Sequence, residues 1–301
     1  MVLKTRAKPK ELLVMKALEA RMDLSIKQKQ YFQALERGYD GEVLFDSLIE
    51  KLECECIILN DLLLNFNNTT FQIDSLIITS NKIYIFEIKN YEGDYLYEAD
   101  SLFTINKKEI INPLHQIKRS KYLLHQLILN LGFNSNIDAS VVFINPRFTL
   151  YQAPLNVPFI FPTQIDSLLN KLNKTASSLN QKHKQLAKKL LSLHITDSPY
   201  SQIPDYNYDQ LQKGITCSQC SSFSISIAGK ICVCDDCGYQ ELVSKAVVRS
   251  AEEFKLLFPD QRMTTSIIYD WCRIIDSKKR IGRVLANNYK KIGENRWIYY
   301  E

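Results

Sequence analysis

No run in the 301-residue sequence approaches the ~20 consecutive apolar residues that a membrane-spanning helix needs. The first residues mix Lys and Arg with short apolar runs and lack the apolar core of a secretory signal. A soluble cytoplasmic protein with no membrane partner is therefore expected. Internal repeats and long low-complexity segments are missing too, which excludes repeat arrays. A strong charge of one sign is also absent. The 38 Lys and Arg oppose 33 Asp and Glu, for a net +5, so the total alone prescribes no nucleic-acid partner. The excess is local instead: positions 271–301 hold eight Lys or Arg against three Asp or Glu.

What is present reads as globular. Hydrophobic residues make up 46% and charged residues 24%, and the length suits two or three domains. Residues 1–37 read as a charged N-terminal helical segment. Gly38-Tyr39-Asp40-Gly41-Glu42 then opens a new unit, with Val43, Leu44, Leu48 and Leu52 near helical spacing and Glu42 in the first turn. Strands are expected from Cys56 to Leu64, in FQIDSLIIT and in KIYIFEIK. Pro113 suits the first turn of a helix to about Leu131. SVVFIN and PFIF read as buried strands, Thr163 as the cap of a helix through Leu172, and Ser178–Leu193 as a Lys-rich helix. This pattern predicts an α/β domain over 38–195, a central mixed sheet flanked by helices. A linker follows at 196–213 and contains Pro199 and Pro204.

The two strands FQIDSLIIT and KIYIFEIK are separated by the polar pair Ser80-Asn81. A two-residue loop pairs Thr79 with Lys82 and sets Asp74 opposite Glu87. A turn centred on Asn81-Lys82 would set Asp74 opposite Lys89. Either register gathers Asp74, Glu87 and Lys89 on one face, with Leu76, Ile78, Ile83 and Ile85, while Ile73, Ile77, Tyr84, Phe86 and Ile88 take the other. A three-residue loop would break the arrangement. Strands apolar on both faces lie inside a covered sheet, where such charges need compensation from one another or from a cation. Carboxylate oxygens suit Mg²⁺ or Mn²⁺, which would polarise a phosphate oxygen. Lys89 would orient or deprotonate water, or stabilise phosphoryl charge. A half-buried salt bridge is the competing reading of this short pattern.

Further residues extend the constellation. Gly41-Glu42, Asn60-Asp61, Gln72-Ile73-Asp74, Glu87-Ile88-Lys89-Asn90-Tyr91 with Gly93, and Asn112-Pro113-Leu114-His115-Gln116 occur in that order. With this set, Gly38–Leu131 resembles the nuclease-related domain family, NERD, a branch of the PD-(D/E)xK restriction-endonuclease-like fold. The resemblance implies a metal-dependent nuclease with Glu42, Asp74, Glu87, Lys89 and Gln116 at its centre. It implies that Glu42 joins Asp74 and Glu87 as a Mg²⁺ or Mn²⁺ ligand, and that Gln116 holds water or phosphate. Related nucleases often carry a Tyr four residues after the helix Gln, whereas Tyr122 here is six residues on. Many enzymes of this fold dimerise to cut both strands, so a homodimer is among the expectations.

Five of the eight cysteines crowd between Cys217 and Cys237. Cys217-Ser-Gln-Cys220 and Cys234-Asp-Asp-Cys237 have the spacing of two metal-binding knuckles, so 214–241 resembles a zinc ribbon with a structural Zn²⁺. Cys232 competes with Cys234, although the spacing before Gly238 favours Cys234. Cys54, Cys56 and Cys272 read as buried thiols. In 242–301, Thr265 and Ser277 cap two helices, and a hairpin-like ending follows. This resembles a winged helix-turn-helix with Lys278, Lys279, Arg280, Arg283, Lys290, Lys291 and Arg296 on duplex DNA. The whole reads as a DNA nuclease. A non-cleaving DNA-binding regulator or a recruitment protein on the same modules is the alternative.

Overall fold

In a computed structural model, residues 1–175, 178–196, 201–294 and 297–301 are described. The chain opens with β1 (Val2–Lys4), α1 (Lys10–Arg21) and α2 (Ile26–Ile49). One compact unit comprises Met1–Lys8 and Ala34–Tyr200, and the other Pro9–Gln33 and Ser201–Glu301. The segment 1–37 is therefore not a separate helical piece. Its first residues form a strand of one unit, while Pro9–Gln33 belongs to the other. Nor does a helix start at Gly41-Glu42: α2 is already underway there, so Glu42 sits well inside it rather than in its first turn. The buried stripe of α2 is Gly41, Phe45 and Ile49, at spacings of four. Val43 and Leu44, expected inside, are 41% and 46% exposed.

The first unit continues with β2 (Ile57–Phe66), β3 (Thr69–Ile78), β4 (Lys82–Lys89), β5 (Gly93–Glu98), β6 (Ser101–Thr104) and β7 (Glu109–Ile110). Then come α3 (Pro113–Asn130), β8 (Asn136–Phe143), β9 (Phe148–Tyr151), β10 (Phe159–Ile160), α4 (Ile165–Asn173) and α5 (Gln181–Ser192). The central sheet has the order β1-β2-β3-β4-β8-β10. It is mixed: β2, β3 and β4 are antiparallel neighbours, and the β1–β2, β4–β8 and β8–β10 pairs are parallel. Leu114, Ile117, Leu124 and Leu127 of α3 and Leu186 and Leu190 of α5 share one core with Leu76, Ile78, Ile83 and Ile85. Phe45 and Ile49 of α2 and Ile165 and Leu172 of α4 cover Ile77, Tyr84, Phe86 and Ile88. A second sheet, β7-β6-β5-β9, was not visible in the hydrophobic pattern. The cap of α4 is Gln164 after a short 3₁₀ turn at Pro162–Gln164, one residue past the expected Thr163. Asn180 caps α5, which starts later than the expected Ser178.

The second unit contains α1, then β11 (Ile225–Ala228), β12 (Ile231–Cys234) and β13 (Gln240–Leu242) as a small antiparallel sheet. α6 (Val243–Leu257), α7 (Thr265–Cys272), α8 (Lys278–Asn288), β14 (Lys291–Ile292) and β15 (Tyr299–Tyr300) complete it. α6 escaped the sequence reading although Val243, Val247, Ala251 and Phe254 form a buried stripe. Met263 bridges Tyr300, so the order is helix, bridge strand, two helices, then a strand pair. Thr264, not Thr265, caps α7, while Ser277 caps α8 as expected. Arg21 of α1 is buried among these elements. It pairs with Glu253, donates to the carbonyls of Gln212 and Gly214, and lies 4.0 Å from the centre of the Trp271 ring. Among the described residues no helix is long and apolar enough to cross a membrane.

Candidate active site

The β3–β4 hairpin positions the acids. Its turn is the two-residue loop: Thr79 N–H donates to the Lys82 carbonyl at 3.0 Å, and Ile78 pairs with Ile83 and Leu76 with Ile85. The ladder runs to Ser75 opposite Phe86, which brings Asp74 level with Glu87. There Asp74 turns its carboxylate into the sheet, and Oδ2 accepts from the Ile88 N–H at 2.8 Å. Alternation breaks at this point, so Ile73 joins the core of Leu76 rather than the face of Ile77. On the neighbouring strand Asp61 takes a left-handed φ of 55°. Lys4 secures that kink by donating to the carbonyls of Asn60 and Asp61 at 2.9 and 2.7 Å.

Around Asp74 the predicted residues converge. Lys89 Nζ donates to Glu87 Oε1 at 2.6 Å and to Gln116 Oε1 at 3.3 Å. Gln116 sits in the first turn of α3, whose start is set by the Asn112 side chain accepting from Leu114 N–H and by Pro113. Ser120, four residues after Gln116, donates to the Gln72 carbonyl, whereas Tyr122 is exposed. His115 lies 3.5 Å from Asp100 at the surface. Glu42 comes from α2, which approaches the end of β4 because residue 41 is glycine. A Cβ there would lie 2.5 Å from Asn90 Cβ.

Sequence reasoning missed Arg6. Its guanidinium donates to Glu42 Oε2 at 2.6 Å, to both oxygens of Asp46 at 2.9 and 3.2 Å, and to the Asp74 carbonyl at 2.6 Å. The one available signal was a short stretch of mixed apolar and basic residues, Val2 to Arg6, compatible with an edge strand.

Negative charge exceeds positive in this buried place. Asp74 is 5% exposed and Glu87 2%. Burial, and then the charge of Asp74, push the carboxyls of Glu42 and Glu87 up to about 8. Burial also raises Asp74, against the pull of Lys89. For Lys89 burial opposes the charge, but Glu87 and Asp74 outweigh it and hold the ammonium above its ordinary range. Acids this short of positive charge form a hard oxygen set that fits a divalent cation. The three carboxylates do not stand as close together as ligands around an ion. Oε2 of Glu42 is bonded to Arg6 and Oδ2 of Asp74 to the Ile88 amide, and the other oxygen of each lies outside those two bonds. Among the described residues, only the cysteines form a group with ligand atoms all within 4.8 Å.

That group is Cys217, Cys220, Cys234 and Cys237. The two knuckles repeat one geometry. Cys217 N–H bonds the Ser222 carbonyl and Cys234 N–H the Tyr239 carbonyl, while Ser221 and Gly238 N–H return to the carbonyls of Cys217 and Cys234. Ser221 and Gly238 both take a left-handed φ, 60° and 73°. The Sγ pairs Cys217–Cys237 and Cys220–Cys234 lie 3.6 Å apart. That is far beyond the ~2.05 Å of a disulfide and close to the ~3.8 Å spacing implied by ~2.3 Å metal–sulfur bonds in a tetrahedron. The four cysteines can hold a metal ion. Cys232 is buried in β12 and stands outside the group.

The basic residues of the second unit divide. Lys278, Lys279, Arg283, Lys290 and Lys291 are exposed. Arg280 is half-buried and donates to the Gly229 carbonyl at 3.0 Å, which ties α8 to the turn between β11 and β12. Of the described members of the expected basic set, it is the one whose side chain bonds the protein's own backbone. Arg296 lies outside the described residues, as does Pro199 of the linker.

Residues 37–144 match the family model described as the nuclease-related domain, NERD. No curated protein and no solved structure matches the chain. A nuclease-related domain therefore occupies 37–144, reaching past Leu131 through the end of β8. It takes in Glu42, Asp74, Glu87, Lys89 and Gln116 but not Arg6, the cysteine group or α6–α8.

Proposed function

We propose that the protein is a divalent-metal-dependent nuclease that hydrolyses phosphodiester bonds of DNA. The observation that carries this reading is the buried excess of carboxylate around Lys89 within a nuclease-related domain. Asp74, Glu87 and Glu42 would hold Mg²⁺ or Mn²⁺. The cation supplies Lewis-acid polarisation of a phosphate oxygen and makes nearby water more acidic. Lys89 stays an ammonium beside two acids, so it stabilises developing phosphoryl charge and orients water rather than taking a proton. Gln116, bonded to Lys89 at the mouth of the site, orients that ammonium and the phosphate it meets.

The other modules serve substrate handling in this reading. The cysteine group holds a structural Zn²⁺, because four thiolates close the coordination shell and leave no open position. The α6–α7–α8 set with its bridge and strand pair follows the order of a winged helix-turn-helix. Lys278, Lys279, Arg283, Lys290 and Lys291 then meet phosphates of duplex DNA.

The test is nicking of supercoiled plasmid by the purified chain with Mg²⁺ or Mn²⁺, beside Asp74→Ala and Lys89→Ala. Metal-dependent nicking that each substitution lowers by about 10²-fold or more is the expected result. DNA binding without cleavage under every metal tried would replace the enzyme with a non-cleaving binding protein.

A further inference from the structure

Arg6 links two of the proposed ligand acids, and it comes from the segment ahead of the matched domain. Its side chain is 3% exposed. Three of its contacts are anchors: two to the Asp46 carboxylate and one to the Asp74 carbonyl. Asp46 is fixed in turn by the Ser75 hydroxyl at 3.2 Å, on the strand that carries Asp74. The fourth contact is the bond to Glu42 Oε2. A guanidinium so held is a rigid spacer from β3 to α2, and it sets how far the Glu42 carboxylate stands from Asp74. Its charge is matched by Asp46, so the pair opposes a nearby cation little. Arg6 takes Oε2 of Glu42 and leaves Oε1 for the ion. Lysine, with three donors on one nitrogen and no planar fork, could not keep both bonds to Asp46 while also reaching Glu42 and the Asp74 carbonyl.

We propose that Arg6 is a positioning residue that aims Glu42 at the divalent cation shared with Asp74 and Glu87. The metal centre is then complete only with residues 1–8 in place. This rests on the metal-centre reading above. Arg6 stays protonated and gives no proton to the reaction, so its contribution is geometry and charge.

The experiment measures Mn²⁺ affinity of the 301-residue, zinc-loaded chain by calorimetry, independently of cleavage. The variants are Arg6→Gln, Arg6→Lys, Glu42→Gln, the double variant Arg6→Gln/Glu42→Gln, and Asp74→Ala. Arg6→Gln is expected to weaken Mn²⁺ binding about tenfold, as loss of a partner that orients a ligand does. The double variant should bind no more weakly than Glu42→Gln alone, because Arg6 acts through Glu42. A purely structural arginine would add its loss in full. If Arg6→Gln fails to fold, Arg6→Lys is read in the same way, with weaker binding again expected. Binding by the Arg6 variants that equals or exceeds wild type overturns the proposal, as does full additivity in the double variant. Unchanged binding by Asp74→Ala would instead overturn the metal-centre reading itself. Loss in Asp74→Ala without loss in the Arg6 variants removes the Arg6 inference alone.

Discussion

At the scale of single residues, the centre trades stability for charge. Glu42 and Glu87 hold carboxyl groups raised to about 8 by burial and by Asp74. In the unfolded chain a glutamate titrates near ~4.3. Between those values the folded state binds more protons than the unfolded state, so stability falls as pH rises through the window. The contribution is fully present below about pH 4.3 and lost above about pH 8. The metal-free protein should therefore show a melting midpoint that declines from about pH 5 to about pH 8. Glu87→Gln should flatten that decline and raise the midpoint at the upper end by roughly 2–4 °C, the shift expected for ~1 kcal/mol in a unit of this size. With the acids as the proposed metal ligands, added Mg²⁺ should restore wild type more than the variant, because a ligand that binds only the folded state stabilises it. A midpoint that climbs over the same range would mean the acids are already charged at the lower pH.

At the scale of elements, the two glycines of α2 have opposite meanings. Both sit in a helix, where alanine is favoured over glycine by roughly 1 kcal/mol. Gly38 faces open space, with nothing within 4 Å of an added Cβ. Gly41 does not, for its Cβ would meet Asn90 Cβ at 2.5 Å, Asn90 Cγ at 3.0 Å and Ile144 Cγ2 at 3.1 Å. Asn90 cannot yield freely, because its amide donates to the Arg37 carbonyl and accepts from Asn145. Overpacking of this kind costs about 1–3 kcal/mol and outweighs the helical gain. Chemical denaturation should find Gly38→Ala stabilised by up to ~1 kcal/mol and Gly41→Ala destabilised by a similar or larger amount. On the proposed function, Gly41→Ala should also lower metal-dependent nicking, since α2 can no longer bring Glu42 as close to the end of β4. Equal effects of the two substitutions would refute the close-approach role.

At the scale of the whole molecule, function in this reading is divided between a unit that cuts and a unit that grips. The exposed cations of α8 and the strand pair that follows it should make DNA binding steeply salt-dependent. Removing one cation from its phosphate should reduce the slope of log affinity against log salt by about 0.9. Replacing Lys278, Lys279 and Arg283 together by Gln should lower that slope and weaken binding to all sequences alike. Arg280→Gln should change the slope less than the triple substitution does, because it removes one cation rather than three and that cation is partly tied to the Gly229 carbonyl. Fluorescence anisotropy across a salt series separates the two, and a slope untouched by the triple substitution would remove α8 from the interface.

Some of this was legible in the sequence because it depends on residues close together in the chain. The polar turn after FQIDSLIIT left two registers open, both with Asp74, Glu87 and Lys89 on one face, and the structure takes the one with Ser75 opposite Phe86. The paired CxxC spacing picked out the four cysteines that meet. Pro113 and Ser277 marked where two helices begin. The rest required the packed chain. Helical spacing cannot tell which stripe of α2 is covered, so Val43 and Leu44 look inward by pattern while Gly41 and Phe45 take the core. The strands β5, β6, β7 and β9 are mostly half-buried or exposed along their length, so neither a clean alternation nor an apolar run marks them. Arg6 reaches Glu42, Asp46 and Asp74 across 36, 40 and 68 positions of sequence. No local rule couples residues that far apart. Turn chemistry and ligand spacing belong to neighbouring residues, whereas the partner of a buried charge is decided only when distant segments are brought into one interior.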